Sequence, residues 1–305
     1  MTSSSDRAAQ NHGHEAQPDH DLRYEMAQEY TELVLRLWDS WEADAMLVDQ
    51  EAGIFADPSK VHTVDFEGRF YKSRGPINTG RSPQGRPVSL QAGGSEQGRD
   101  YGARYADVIL SSGASVEGMK RYRDDVRARM LAHGRKPDDC KVLFIIAPVL
   151  GDTEEEAEGR RRRMLAAAAE RHLAAMGYSS NIDFSVFDLD DPIGTLSSQL
   201  ATNGHQSSLD SFVAANAHRT LREVGSTFAD GGREGGLLGP SDRVAAQMEE
   251  IMQEVGGDGF LIGYETVTRR AIAEITDGLV PALQRRGLTR RGYTYDQFRD
   301  NLLEF

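Results

Sequence analysis

Arg86-Pro87-Val88-Ser89-Leu90-Gln91-Ala92-Gly93-Gly94-Ser95-Glu96-Gln97-Gly98, continuing to Ala106-Asp107-Val108-Ile109-Leu110, is the stretch whose reading decides the fold. Residues 88–91 form a short apolar run that stops at a Gly-Gly-Ser turn. Ser95 stands where a helix N-cap belongs, and Glu96 places negative charge in the first turn. A helix carrying Tyr101 and Tyr105 follows, and then a second short apolar strand, 107–110. Strand, glycine turn, capped helix and strand make a βαβ unit, which pairs two parallel strands under a crossover helix. Glycines at the end of the first strand let a ligand approach the backbone, and the free N–H groups of the helix start form an anion site. The same turn also reads as a tight connection with no ligand.

Working outward, the alternation repeats. A helix is expected over 115–133, with Val116, Met119, Tyr122, Val126 and Met130 on one side, ended by glycine and proline at 134 and 137. Lys141 to Pro148 contains a continuous apolar run, as a strand covered on both faces requires. Thr153 to Glu156 opens the next helix as a capping box, and the Arg160–Arg163 run reads as helix surface. A last strand is expected at 259–262 and a last helix over 265–286. Four parallel strands result: 88–91, 107–110, 142–147 and 259–262. Val88, Leu90, Val142, Phe144 and Ile146 are expected on their inward faces.

Upstream, residues 1–20 are polar and read as a loop. His12, His14 and His20 within them lack the spacing that places two ligands on one helix face, so no metal site is assigned. Tyr24, Ala27, Tyr30, Val34, Leu37, Trp38 and Trp41 recur at three and four, predicting a helix over 21–46. Residues 49–86 break that period and read as a hairpin insertion, with strands near 61–66 and 69–72. Residues 178–240 are irregular and read either as an active-site insertion or as a disordered linker, the apolar anchors Leu189, Ile193, Leu196, Leu200 and Phe212 favouring the insertion.

The 305 residues suffice for a sizeable core. A formal net charge of −13 with no basic block argues against a nucleic-acid partner. No apolar run reaches the ~20 residues of a membrane span, and none at the N-terminus reads as a secretion signal. The single cysteine, Cys140, rules out an internal disulfide and fits a cytoplasmic protein. No Ser-His-Asp or Cys-His arrangement is evident, and no catalytic acid or base is assigned.

Arg74-Gly75-Pro76-Ile77-Asn78, Ser82-Pro83-Gln84-Gly85-Arg86-Pro87 and Gln91-Ala92-Gly93-Gly94-Ser95-Glu96 together closely resemble the flavin-dependent two-component monooxygenases of the bacterial luciferase-like superfamily, in the nitrilotriacetate, EDTA and dibenzothiophene-sulfone monooxygenase branch. The likeness extends to Pro281-Ala282-Leu283-Gln284-Arg285-Arg286-Gly287-Leu288 near the C-terminus. It implies an α/β chain of TIM (β/α)8-barrel type, in which the four strands are the fifth to eighth. Met1 then sits at the end of strand four, leaving a half barrel with exposed edges and a tendency to homo-oligomerise.

The resemblance also implies chemistry and ligands. Gly94 and Ser95 are expected to hold the phosphate of FMN, with Tyr24 of the Arg23-Tyr24 pair reaching it. Thr2 and Ser3, in the segment Thr2-Ser3-Ser4-Ser5, are expected against the flavin. In such enzymes a separate flavin reductase supplies diffusible reduced FMN, O2 adds at the flavin C4a position, and the peroxyflavin oxygenates a small organic substrate. The alternative is a non-catalytic half barrel that binds a phosphate ligand or a partner chain.

Overall fold

The computed structural model describes residues 2, 5–112, 115–180, 182–196, 213–214, 216–228, 236–263 and 267–304. In chain order it comprises α1 (Asp6–Gln10), α2 (His20–Trp38), β1 (Met46–Asp49), β2 (Ile54–Ala56), β3 (Phe66–Glu67), β4 (Lys72–Ser73), β5 (Leu90–Ala92), α3 (Glu96–Tyr105), β6 (Val108–Ser112), α4 (Val116–Ala132), β7 (Lys141–Ile146), β8 (Val149–Leu150) and α5 (Glu154–Ser180). Short helices at Ile193–Leu196 and Leu221–Phe228 follow, then β9 (Leu238–Gly239), a helix at Ser241–Val255, and β10 (Phe260–Ile262). Helical structure resumes from Arg269 to Arg285, with a π-helical stretch at Glu274–Leu279.

The four expected strands form one parallel sheet in the order β10-β7-β6-β5. The register aligns Gln91 with Ile109 and Val142, and Phe144 with Phe260, so these side chains share a face. That face is the dry one: Ile109, Val142 and Phe144 are buried under Met119, Val126, Met130, Val244 and Met248 from the crossover helices. The opposite face carries Leu90, Ile145 and Leu261, which are 55%, 44% and 41% exposed. The expectation that Leu90, Val142, Phe144 and Ile146 share one face is therefore corrected. Parallel pairing with α4 and the helix Ser241–Val255 on one side divides them, and of these four only Leu90 points to the open face. Val88 precedes β5 and is half-buried.

Residues 178–240 do not cover that open face among the described residues. They join the end of α5 in a second core of Leu173, Ile182, Phe184, Ile193, Leu196, Leu221 and Val224, which shares no member with the first. Ile193 and Leu196 are buried anchors as expected, and Leu189 packs at the margin; Leu200 and Phe212 lie outside the described residues. The root of this insertion is tied to the sheet by β8, which pairs in parallel with β9.

Several boundaries differ from expectation for identifiable reasons. Residues 6–10 are helical rather than loop, with Ala9 buried. Helix α2 ends at Trp38, not near 46. Trp41 leaves the helix to donate its indole N–H to the Ile77 carbonyl at 2.8 Å, and it bridges to Val61. Residues expected at the end of that helix instead make the hairpin β1–β2, turned by Gly53 at φ +67°. The second hairpin exists but is short, Phe66 opposite Ser73 and Glu67 opposite Lys72, because Asp65 adopts φ +42° and breaks the run before it. Thr153 caps α5 by accepting from the Glu156 N–H at 3.2 Å, whereas the Glu156 carboxylate accepts from the Asp152 N–H. Arg160 is not a surface residue. It donates to the Leu150 carbonyl and to Glu274, both at 2.6 Å, and also pairs with Glu156.

The two faces of β7 make a direct test. Phe144→Ala on the covered face lowers unfolding free energy by about 3–5 kcal/mol. Ile145→Thr, one residue on and facing outward, changes it by no more than about 0.5 kcal/mol. Urea unfolding followed by far-UV circular dichroism measures both, and similar losses would refute the assignment of faces.

Candidate functional site

The turn after β5 lies at the C-terminal end of the parallel strands, where ligands bind in α/β folds of this kind. Ser95 caps α3 with extended backbone, φ −69° and ψ 163°, and its hydroxyl accepts from the Gly98 N–H at 3.1 Å. The carbonyls of the two glycines are each held by a side chain, the first part-buried and the second exposed. Tyr122 donates its hydroxyl to the Gly93 carbonyl at 2.7 Å, and Arg99 donates to the Gly94 carbonyl at 2.5 Å. Among the described residues no group accepts from the N–H of Gly94 or Ser95. A side-chain carbon placed on Gly94 would meet nothing within 4 Å, so the outer side of the turn is open.

Tyr24 reaches this turn from α2. A carbon added to Gly98 would lie 2.7 Å from the Tyr24 hydroxyl, 3.1 Å from the Ser95 hydroxyl and 3.2 Å from the Gly93 Cα. The absence of a side chain at Gly98 thus lets Tyr24 approach the helix start. Its ring is buried between His20 and Tyr101, at centroid distances of 5.1 and 6.0 Å. The structure brings together three of the residues singled out in the sequence: Tyr24, Gly94 and Ser95. Thr2 is half-buried, with no hydrogen bond to this turn among the described residues, and Ser3 lies outside them.

Two further polar residues were not singled out. Arg23 is 6% exposed and donates to the Pro18 carbonyl at 2.6 Å, but its Nε and second Nη are buried without a partner. Gln91 is 2% exposed, lies against Gly93 and Gly102, and has neither amide atom hydrogen-bonded. A buried guanidinium facing no carboxylate is costly in isolation, and a buried amide with no partner is rare. Only the Arg23-Tyr24 adjacency was legible beforehand; nothing in the sequence marks Gln91, whose neighbours in β5 are apolar.

Charge around the turn is organised from α4. Asp125 accepts from Arg99 at 2.6 Å and Arg129 at 2.9 Å; burial pushes its carboxyl up, but these two bonds hold it below the usual range. Burial pushes the Tyr122 hydroxyl up to about 12, so at neutral pH it remains a donor. A separate cleft of about 780 Å³ opens between α1 and the insertion, walled by Leu173, Ile182, Phe184, Phe187 and Leu189, with Arg7 in its lining. Among the described residues no group of three or more acidic, histidine or cysteine side chains is placed to hold a metal ion.

A parallel sheet with crossover helices, a glycine turn opening a helix at the end of one strand and an apolar cleft beside residues 182–189 define an α/β protein, and the family it matches is of TIM-barrel type. The chain belongs to the luciferase-like monooxygenase family, whose model matches residues 2–259. It is 34% identical over 309 residues to dibenzothiophene-sulfone monooxygenase of Rhodococcus erythropolis, covering 99% of this chain and 67% of that one. It is 35% identical over 300 residues to dimethyl-sulfide monooxygenase of Hyphomicrobium sulfonivorans, covering 97% and 62%. The crystal structure of a riboflavin lyase with modified FMN and riboflavin superposes with a TM-score of 0.84 at 32% identity, covering 99% of this chain and 66% of that one. The chain therefore spans roughly two thirds of the length of the relatives it matches.

Gly98 and Gly94 separate packing from binding space. The overlap created by Gly98→Ala costs about 1–3 kcal/mol, more than the roughly 1 kcal/mol a helix gains from alanine over glycine. Gly94→Ala leaves the thermal midpoint of the ligand-free chain unchanged, since its new methyl enters open space. Differential scanning fluorimetry on both variants checks this, and equal shifts would contradict the geometry.

Proposed function

We propose that the chain forms the FMN-binding part of a two-component monooxygenase that oxygenates a small organic substrate. Reduced FMN would come from a separate flavin reductase and, when bound, would supply the activation of O2. In this reading the sheet β5-β6-β7-β10 corresponds to strands five to eight of the barrel. The single observation that carries it is the pair of N–H groups at Gly94 and Ser95 that no described residue accepts from, with the Tyr24 hydroxyl against Gly98 in the first turn of the same helix.

A phosphate monoester fits these residues. It would accept from the two N–H groups at the positive end of α3, from the Tyr24 hydroxyl, and from the Ser95 hydroxyl, whose proton is free while its oxygen caps Gly98. Arg23, buried and without a carboxylate, would supply counter-charge. Thr2 and Ser3 would face the flavin ring, and the apolar cleft of the insertion would hold the substrate away from water. No proton-transfer residue is assigned, so the protein's work is to bind, orient and exclude solvent.

A second reading, a half barrel that binds a partner chain without catalysis, is favoured by one observation: Leu90, Ile145 and Leu261 expose apolar surface on the open sheet face. Both readings predict self-association of this chain expressed alone. Size-exclusion chromatography with light scattering should show a dimer or larger species, and a cooperative, well-behaved monomer would count against a half barrel with a bare face.

Flavin titration separates the two readings. Ser95→Ala should weaken FMN binding by about 1–3 kcal/mol, the range for a lost hydrogen bond to a charged group. Tyr24→Phe should do so by less. Arg23→Met should weaken FMN binding while raising the thermal midpoint of the flavin-free chain, because it removes a buried unpaired charge. Flavin fluorescence quenching measures the affinities; unchanged values in all three variants would remove the phosphate assignment.

A further inference from the structure

The geometry points to Tyr122 and Arg99 as positioning residues that aim the two N–H groups of the turn at the anion, an inference that rests on the phosphate reading above. In a planar trans peptide the N–H and the C=O point in opposite directions. The carbonyl of Gly93 and the N–H of Gly94 belong to one peptide unit, and the carbonyl of Gly94 and the N–H of Ser95 belong to the next. Tyr122 holds the first carbonyl at 2.7 Å and Arg99 holds the second at 2.5 Å. Fixing each carbonyl on its clamp directs the N–H of the same peptide away from that clamp, and Gly94 itself faces open space. A hydrogen bond to a carbonyl also polarises its peptide and makes the N–H a better donor, more so when the bond comes from a cation.

Both clamps are themselves held. The Tyr122 ring packs edge-on against Phe144 at 6.3 Å, in the core under the sheet. Arg99 is anchored through Asp125, which Arg129 also engages. A two-glycine turn left to itself is the most freely rotating backbone a chain can have. Two side chains from α3 and α4 remove that freedom at the two peptides whose N–H groups the ligand needs. Neither residue touches the ligand in this arrangement, and both act through the backbone.

The test compares FMN with riboflavin, which lacks the phosphate, by fluorescence titration of the whole chain. Tyr122→Phe keeps the ring in the core and removes only the hydroxyl. It is expected to raise the FMN dissociation constant about threefold to tenfold, the effect of one hydrogen bond, and to leave that of riboflavin unchanged. Arg99→Lys, which retains the charge but cannot bridge Gly94 and Asp125 at once, is expected to show the same selective loss. Unchanged FMN affinity in both variants would overturn the assignment, as would an equal loss for both flavins, which marks general damage to packing. A parent chain that binds FMN no more tightly than riboflavin would instead overturn the phosphate reading itself, before any variant is compared, and the clamp with it.

Discussion

Side-chain alternation in four parallel strands sets the terms for the rest of this molecule. Because α4 and the helix Ser241–Val255 pack on one side, one set of alternate residues is sealed, while the other is buried at Val108 and Lys141 but open elsewhere. Ile109, Val142, Phe144 and Ile146 fall in the sealed set and form the core with α4 and the helix Ser241–Val255. Leu90, Ile145 and Leu261 fall in the other. Gln91, fully buried just before the turn that ends β5, is a polar member of the sealed set, as is Ser111 opposite Phe144. The covered face therefore determines both where stability resides and where the binding loops emerge, since all the βα turns leave from the same end of the strands.

The candidate site is built mainly of backbone, and its side chains serve to present that backbone. Ser95 caps the helix, Gly98 admits Tyr24, and the glycine carbonyls are each held by a side chain. Such a site asks little of residue identity at the ligand and much of the second layer. Its charge is also asymmetric. Arg23 is buried with two nitrogens unpartnered, while Arg99 pairs with Asp125 and Arg129 with Asp125, Asp100 and Glu96.

Much of this was legible in the sequence because it depends on local rules. The Gly-Gly-Ser-Glu turn, the apolar runs of the strands and the stripe of α4 each encode their element locally, and parallel pairing followed from the alternation of strand and helix. The failures share a cause. The end of α2 is decided by an indole N–H finding a carbonyl thirty-six residues away, and the burial of Arg160 by Glu274 on another element. Which face of a strand is covered depends on where the helices pack, which alternation alone does not state. Gln91 and the clamped glycine carbonyls are invisible for the same reason: their meaning lies in partners, present or missing, that only the folded chain brings near.

The two hydrophobic cores have a consequence for how such a protein can change. The cluster under the sheet and the cluster formed by the end of α5 with residues 182–224 share no side chain. Among the described residues they are joined by the long helix α5, by the two-residue pairing of β8 with β9, and by Arg160 between Leu150, Glu156 and Glu274. Substitutions in the outer core alter the walls of the apolar cleft without disturbing the packing that holds the anion turn in place. The architecture thus separates inheritance from novelty. One module can be kept while the other is rewritten, so that the shape of the cleft can drift without the fold having to be discovered again.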